Sequence, residues 1–201
     1  MSQITQRVEL PVGSMGRHAS GWWGMIMLIA TEGALFGYLL FAYYYLAVQH
    51  GRDWLPPVLP GWAWSIPETV VLLVSAGVVW LAERRLARDG GDLLLVVMLL
   101  VAALLGVAFL VLEVFDWASE SFTPYTNAFG SLFFAITGIH FLHLFVGVLI
   151  LFVLALWAAL GYFDRRRTAI LMTGALYWYF VSLSWLAFFF TLYISPRLSV
   201  G

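Results

Sequence analysis

Long hydrophobic segments alternate with short polar segments along the chain. A membrane-spanning helix needs roughly 20 mostly apolar residues. Five segments meet this requirement, at about residues 22–48, 66–87, 93–115, 128–160 and 168–194. Glycine, proline and charged residues concentrate in the connections between them, as is typical of turns and loops. The pattern therefore predicts an all-α fold, a polytopic membrane protein built as a bundle of five transmembrane helices.

The composition supports a membrane protein and narrows its chemistry. The chain is 63% hydrophobic and 10% charged and contains neither cysteine nor lysine, whereas soluble domains carry about 25% charged residues. Without cysteine there is no disulfide, no thiolate metal site and no covalent haem attachment. With a formal net charge of −1, we expect no nucleic-acid partner.

The distribution of arginine predicts the orientation in the membrane. Eight arginines fall on one side of the predicted bundle and two on the other. The eight are Arg7, Arg17, Arg84, Arg85, Arg88, Arg165, Arg166 and Arg167, and the two are Arg52 and Arg197. The positive-inside rule then places the N-terminus in the cytoplasm and the C-terminus outside. We accordingly expect a cytoplasmic tail over residues 1–21, a membrane domain over 22–195 and a short C-terminal tail over 196–201.

Three polar side chains lie near the middle of predicted spans. Glu32 is about ten residues into the first span, which at 1.5 Å per residue is roughly 15 Å deep. His140 in the fourth span and Tyr177 in the fifth reach a similar depth. Because a carboxyl or imidazole group is costly in lipid, we expect these groups to face protein.

Small and polar residues predict where the helices pack against one another. At 100° per residue, one broad stripe of the fourth span contains Gly130, Phe133, Thr137, His140, His143 and Gly147. A weaker polar seam on the fifth span contains Tyr177, Ser184 and Thr191. The glycines expected to allow close helix packing are Gly33, Gly37, Gly138 and Gly147.

The two histidines of the fourth span could bind metal, carry protons or join helices. A metal site normally needs three or four ligands, and only Glu32 is an obvious third ligand at their depth. We therefore expect no metal and no other cofactor in this chain. His140 and His143 are predicted to be structural, with one of them hydrogen-bonded toward Glu32 or a neighbouring hydroxyl.

Two further acids lie at predicted helix ends. Glu113 is two residues before the expected end of the third span, where it is either a partly hydrated acid or a functional group. Glu68 follows Pro67 at a predicted helix start, where an acid interacts favourably with the helix dipole. We read Glu68 as structural.

Several motifs resemble subunit III of the haem–copper oxidases, which serve as cytochrome c or quinol oxidases. They are "TGIHFLHLFVG", "TEGALFGYLL" with Glu32 at the family's glutamate, "LPP" after Trp54, "LEVFDWASESFTPYTNAFGSLFFAITG" and "YWYFVSLSWLAFFFTLYI". They occur in the family's order and cover about residues 22–195. Three features differ from the family: Tyr179 and Ser182 replace a histidine and an aspartate, Phe141 replaces a glycine, and five spans replace seven, as in short bacterial forms.

The resemblance implies a non-catalytic subunit of an aerobic respiratory complex in the bacterial cytoplasmic (inner) membrane. Such a subunit packs on the haem-bearing subunit I and other subunits, binds phospholipid, and supports sustained proton uptake or oxygen access. The haems and copper belong to the partner subunits. The resemblance implies that Glu32, Glu113, Thr137, His140, His143 and Tyr177 form a structural or proton- and lipid-related polar cluster. Two alternatives stay open: an accessory protein of a nitric oxide reductase, and a stand-alone transporter or channel.

Overall fold

Five long helices lie side by side in the computed structural model, which describes residues 20–51, 53–164 and 167–198. They are α1 (Ser20–His50), α2 (Ser65–Asp89), α3 (Leu93–Ser119), α4 (Ala128–Ala159) and α5 (Ala169–Phe189). A π-helical segment (Phe190–Ile194) and α6 (Ser195–Leu198) continue α5. All five helices are long and apolar enough to cross a membrane, and the described ranges contain no strand. The predicted five-span all-α architecture is confirmed.

Several residues that predict the orientation in the membrane lie outside the described residues. These are most of the N-terminal tail with Arg7 and Arg17, then Arg52, Arg165 and Arg166, and the last three residues. We call the end of the bundle with the 51–64 and 120–127 connections the long-loop end. The opposite end, with the 90–92 and 160–168 connections, is the arginine end.

Side-chain caps begin α3 and α4. The Asp92 carboxylate accepts a hydrogen bond from the Leu95 N–H at 2.9 Å, and the Asn127 side chain accepts one from the Gly130 N–H at 2.8 Å. Arg85 Nε also donates to Asp92 at 3.1 Å. These contacts, the arginine first, lower the pKa of Asp92. The 90–92 turn between α2 and α3 is therefore held by a charged contact as well as by the helix cap.

The centre of the bundle is an aromatic core between α3, α4 and α5. Trp178 of α5 is 1% exposed. Its ring lies where a Cβ on Gly147 of α4 would approach within 2.9 Å and one on Gly106 of α3 within 2.7 Å. The two glycines leave room for this indole, so the close approach expected at Gly147 is present. Gly106 was not predicted.

The other expected glycine contacts do not occur within this chain. A Cβ on Gly37 or Gly138 would meet nothing within 4 Å, and one on Gly33 would only touch Phe180 at 4.0 Å. No helix among the described residues packs closely on these three glycines, so close packing there stays a prediction for a partner helix. Instead α1 contacts the bundle through Phe36, which is buried and stacks on Phe180 with ring centroids 5.7 Å apart.

Helix α1 lies at the periphery of the bundle. In its most apolar stretch of 18 residues only 6% is buried inside the bundle, whereas the corresponding share in the other four spans is 33% to 50%. Most of its apolar surface is therefore available to lipid or to a partner protein.

Candidate functional site

The expected contact between Glu32 and a histidine is made by His143. The His143 Nε2 and Glu32 Oε2 atoms are 2.9 Å apart, and the His143 Nδ1 atom is 2.7 Å from the Ile139 carbonyl oxygen. The side chains of His143 and Glu32 are 17% and 25% exposed. The pair therefore joins α4 to α1 at the middle of the bundle.

The number of hydrogen-bond donors limits the protonation states in which both contacts of His143 can form. Both ring nitrogens of His143 face oxygen atoms, yet a neutral imidazole has one N–H donor and an ionised carboxylate has none. Both contacts are hydrogen bonds only if the pair carries one more proton. Either His143 is an imidazolium beside a carboxylate, or Glu32 is a carboxylic acid that donates to Nε2. In both cases the pair has no net charge, which reduces the cost of placing it in a bilayer.

His140 points away from Glu32, although the two residues are at similar depth. Positions three residues apart on a helix differ by about 60° in direction, so His140 faces the bundle core while His143 faces α1. His140 is 0% exposed, and its Nε2–H donates to the Val181 carbonyl oxygen of α5 at 3.1 Å. Its Nδ1 atom has no hydrogen-bond partner among the described residues. His140 thus joins α4 to α5 and not to Glu32.

Tyr177 completes the connection between α4 and α5. Its hydroxyl donates to the His143 carbonyl oxygen at 3.1 Å. One side chain from each helix therefore bonds the backbone of the other, since His140 bonds α5 and Tyr177 bonds α4. Thr137, by contrast, joins α4 to α3: its hydroxyl oxygen accepts from Trp117 Nε1 at 3.0 Å. Thr137 is not part of the group around Glu32.

An apolar groove leads to the Glu32–His143 pair. It has a volume of about 500 Å³ and is formed by α1, α4 and the start of α5. A second cavity of about 310 Å³ shares Met25, Val146 and Ile150 with it and is lined by Glu32, His143 and Tyr177. An apolar chain lying in the groove would therefore approach the polar groups.

The two helix-end acids are more deeply buried than the sequence indicated. Glu68 and Glu113 are both 0% exposed, so a partly hydrated Glu113 is wrong. Glu68 does lie in the first turn of α2, but a favourable helix dipole does not explain its complete burial. Both acids are buried because α2 and α3 pack along each other up to the long-loop end, and a structural role for Glu68 stays a prediction. Asp116, buried one helical turn after Glu113, was also missed, and its i+3 spacing was the available signal.

The residues that differ from the resembled family make their own contacts. The Tyr179 hydroxyl donates to Glu83 Oε2 of α2 at 2.5 Å, and Ser182 donates to the Trp178 carbonyl oxygen of its own helix at 2.8 Å. Phe141 packs against Trp117, with ring centroids 5.3 Å apart. Tyr179 therefore joins α5 to α2, whereas Ser182 joins no other helix.

No group of three or more histidine, cysteine, aspartate or glutamate residues within the described ranges could hold a metal ion. Glu68, Glu113 and Asp116 are near one another but are not such a group. That this chain carries no metal or haem stays a prediction.

The fold and the buried polar groups define a polytopic helical membrane protein whose helices are joined by polar contacts at mid-depth. The sequence matches the cytochrome c oxidase subunit III family over residues 16–196. This range includes all five spans. The chain therefore belongs to that family, as its motifs predicted.

Individual relatives agree with this assignment. The chain is 30% identical over 175 residues to cytochrome c oxidase subunit 3 of Artemia franciscana, covering 85% of this chain and 67% of the relative. It is 32% identical over 178 residues to the Schizophyllum commune protein of the same name, covering 85% and 66%. The Arabidopsis thaliana protein of that name is 30% identical over 179 residues, covering 85% and 67%. The chain thus spans about two thirds of the length of these relatives.

Proposed function

We propose that this chain is the non-catalytic subunit III of a haem–copper terminal oxidase in aerobic respiratory electron transport. The family match across all five spans is the observation that carries the proposal. In this role the chain packs on the haem-bearing subunit I, contacts lipid, and supports sustained proton uptake or oxygen access. The haems and copper are held by the partner subunits.

The exposed surface of α1 supports a role within an assembly. Its outward side chains include large apolar and aromatic groups such as Met27, Tyr38, Phe41 and Tyr45, each more than half exposed. A contiguous apolar surface of this kind needs lipid or another membrane helix beside it. Haem-bearing subunit I is the partner we propose for part of the bundle surface.

The groove between α1, α4 and α5 supports phospholipid binding. Its residues are almost all apolar, as an acyl chain requires. The adjoining cavity, which shares Met25, Val146 and Ile150 with the groove, is lined by Glu32, His143 and Tyr177. An acyl chain lying across both would keep water away from this polar group. The pair would then hold its shared proton in a dry environment, which supports a proton-related or lipid-related role.

We propose the bacterial cytoplasmic membrane as the location, with the N-terminus inside. Among the described residues the arginine end carries Arg84, Arg85, Arg88 and Arg167, whereas the long-loop end carries Arg197. This asymmetry supports the orientation given by the positive-inside rule.

Purification of the tagged chain from its native membrane in mild detergent tests the proposal. We expect a haem absorption spectrum in the purified complex and oxygen consumption with a reduced donor. Consumption of nitric oxide in place of oxygen would assign the chain to a reductase, and a haem-free preparation would leave a stand-alone membrane protein. Either result would contradict the proposal.

The chain alone should carry no redox metal. After separation from its partners and treatment with a chelator, metal analysis should find far less than one iron or copper atom per chain. Stoichiometric retention of either metal would show that the chain has ligands we did not recognise.

A further inference from the structure

Three buried carboxyl groups lie together at the long-loop end, on two helices and away from Glu32. Glu68 belongs to α2, and Glu113 and Asp116 belong to one face of α3. None of the three is more than 1% exposed. The two helices pack along each other, with Ser75 of α2 donating to the Ala102 carbonyl oxygen at 2.8 Å.

These carboxyl groups have almost no hydrogen-bond donors. Both oxygens of Glu68 and of Glu113, and one oxygen of Asp116, are buried with no hydrogen-bond partner among the described residues. The Trp117 N–H lies near Glu113 but donates to the Thr137 hydroxyl oxygen at 3.0 Å. The remaining Asp116 oxygen accepts from the Tyr193 hydroxyl at 2.5 Å. Arg197 donates to the Pro60 carbonyl oxygen at 2.5 Å and also to the carbonyl of Tyr193. It makes no ion pair with the three buried acids.

Glu68 and Glu113 can supply a hydrogen-bond donor to each other if one of them is protonated. The two carboxyl groups are within hydrogen-bonding reach of each other. Ionised carboxylates only accept hydrogen bonds, so two of them cannot bond, and placed together they repel. A carboxylic acid beside a carboxylate does bond, because the acid supplies an O–H donor. Burial without a cation also favours fewer charges at membrane depth.

We propose that Glu68 and Glu113 are a proton-sharing carboxyl pair, a proton-binding site that communicates with the long-loop surface through Asp116, Tyr193 and Glu120. The bound ligand is a proton held between two carboxyl oxygens. The site is separate from the Glu32–His143 pair, which lies between other helices.

The connection to the surface consists of the titratable groups around the pair. The Tyr193 hydroxyl donates to Asp116 at 2.5 Å, and Glu113 and Glu68 are near enough to interact with it electrostatically. Glu120, just beyond α3, accepts a hydrogen bond from the Gly61 N–H at 3.3 Å and interacts electrostatically with Asp116 and Arg197. A proton that enters at Glu120 and moves inward leaves Glu120 ionised again and the pair with one negative charge fewer.

Glu120 is suited to this exchange. Partial burial, with the nearby Asp116 as a smaller cause, raises the pKa of Glu120 to about 7. A group with this pKa gains and loses protons readily near neutral pH.

Infrared spectroscopy of the full-length chain in lipid tests the pair. At pH 7, the wild-type spectrum minus that of the Glu68→Gln/Glu113→Gln variant should contain the carbonyl band of a protonated carboxylic acid, shifted in D₂O. The surface variant Asp89→Asn, as matched control, should retain this band. A difference spectrum that contains only carboxylate bands would overturn the proposal, because both groups would then be ionised. The same holds if these bands shift when a chelator is added, since the pair would then bind a cation and not a proton.

The rate of hydrogen–deuterium exchange at the carboxylic acid tests the connection through Glu120 to the surface. This measurement needs no substitution of Glu68 or Glu113. After transfer to D₂O, the carboxylic-acid band should shift more slowly in Glu120→Gln than in wild type, while Asp89→Asn should match wild type. An unchanged rate in Glu120→Gln would overturn the connection through Glu120, even if the buried variants fail to fold.

Discussion

Replacing Glu32 and His143 by alanine, singly and together, tests the contact that joins α1 to α4. The 2.9 Å bond between Glu32 Oε2 and His143 Nε2 is the side-chain bond between these two helices that the structure describes. Each single variant removes that bond, so the double variant has little of it left to lose. We therefore expect the two effects on the free energy of unfolding to be less than additive.

The expected coupling follows from the membrane setting. Hydrogen bonds between membrane helices contribute about 0.6 kcal/mol on average and up to about 1.7 kcal/mol. At about 1.4 kcal/mol per tenfold change, the upper value corresponds to roughly a 17-fold change in the unfolding equilibrium. A coupling near the upper value is expected, because the bond joins a carboxyl and an imidazole group whose side chains are only 25% and 17% exposed. The bundle should still fold, since the core around Trp178 is untouched.

Unfolding of the full-length chain in mixed micelles provides the measurement. Thr31→Ala is the matched control, because Thr31 precedes Glu32 and its hydroxyl bonds only the Leu28 carbonyl oxygen of its own helix, at 2.8 Å. Thr31→Ala combined with His143→Ala should be additive within about 0.5 kcal/mol. If the Glu32 and His143 variants are additive within the same margin, the contact does not stabilise the bundle and our reasoning fails.

Three further predictions concern packing, pH and topology. Gly147→Ala should lower the free energy of unfolding by about 1–3 kcal/mol, because the added methyl group meets the enclosed Trp178 ring at 2.9 Å. Gly138→Ala, where a Cβ meets open space, should not lower it. Equal losses in the two variants would contradict this prediction. The raised pKa of Glu120 means that the folded chain keeps a proton between pH 4.5 and about 7, so stability should fall as pH rises through this range relative to Glu120→Gln; parallel pH curves would contradict it. Cysteines at Ser2 and Ser199 should be labelled by an impermeant thiol reagent in intact cells only at Ser199, and labelling only at Ser2 would reverse the topology.

The hydrophobic pattern predicted the five helices but not all of their ends. The third span was expected to end near residue 115, where hydropathy falls, whereas α3 continues to Ser119. Asp116 is buried in the bundle and bonded to Tyr193, so tertiary contacts extend the helix beyond its apolar run. The last helical run continues to Leu198 through a π-helical segment, for which the sequence offered no local signal.

The site was predictable in depth but not in direction. Helical rise placed Glu32 level with His140, and the contact to Glu32 is made by His143, one turn further along α4. Which histidine faces α1 depends on how α4 is rotated in the bundle, and residue spacing along one helix does not give that rotation. The Glu68–Glu113 pair was missed because each acid, taken alone, resembles an ordinary helix end. Only the packing of α2 on α3 brings them together.

Oxygen consumption over many turnovers tests the central proposal most directly. The wild-type complex would be compared with a complex depleted of this chain and with one carrying Glu32→Ala. We expect equal initial rates in all three, with activity lost sooner in the depleted complex and in the variant. Immediate loss of turnover in a fully assembled variant would place Glu32 in the chemistry, and an unchanged working life after depletion would contradict the proposed supporting role.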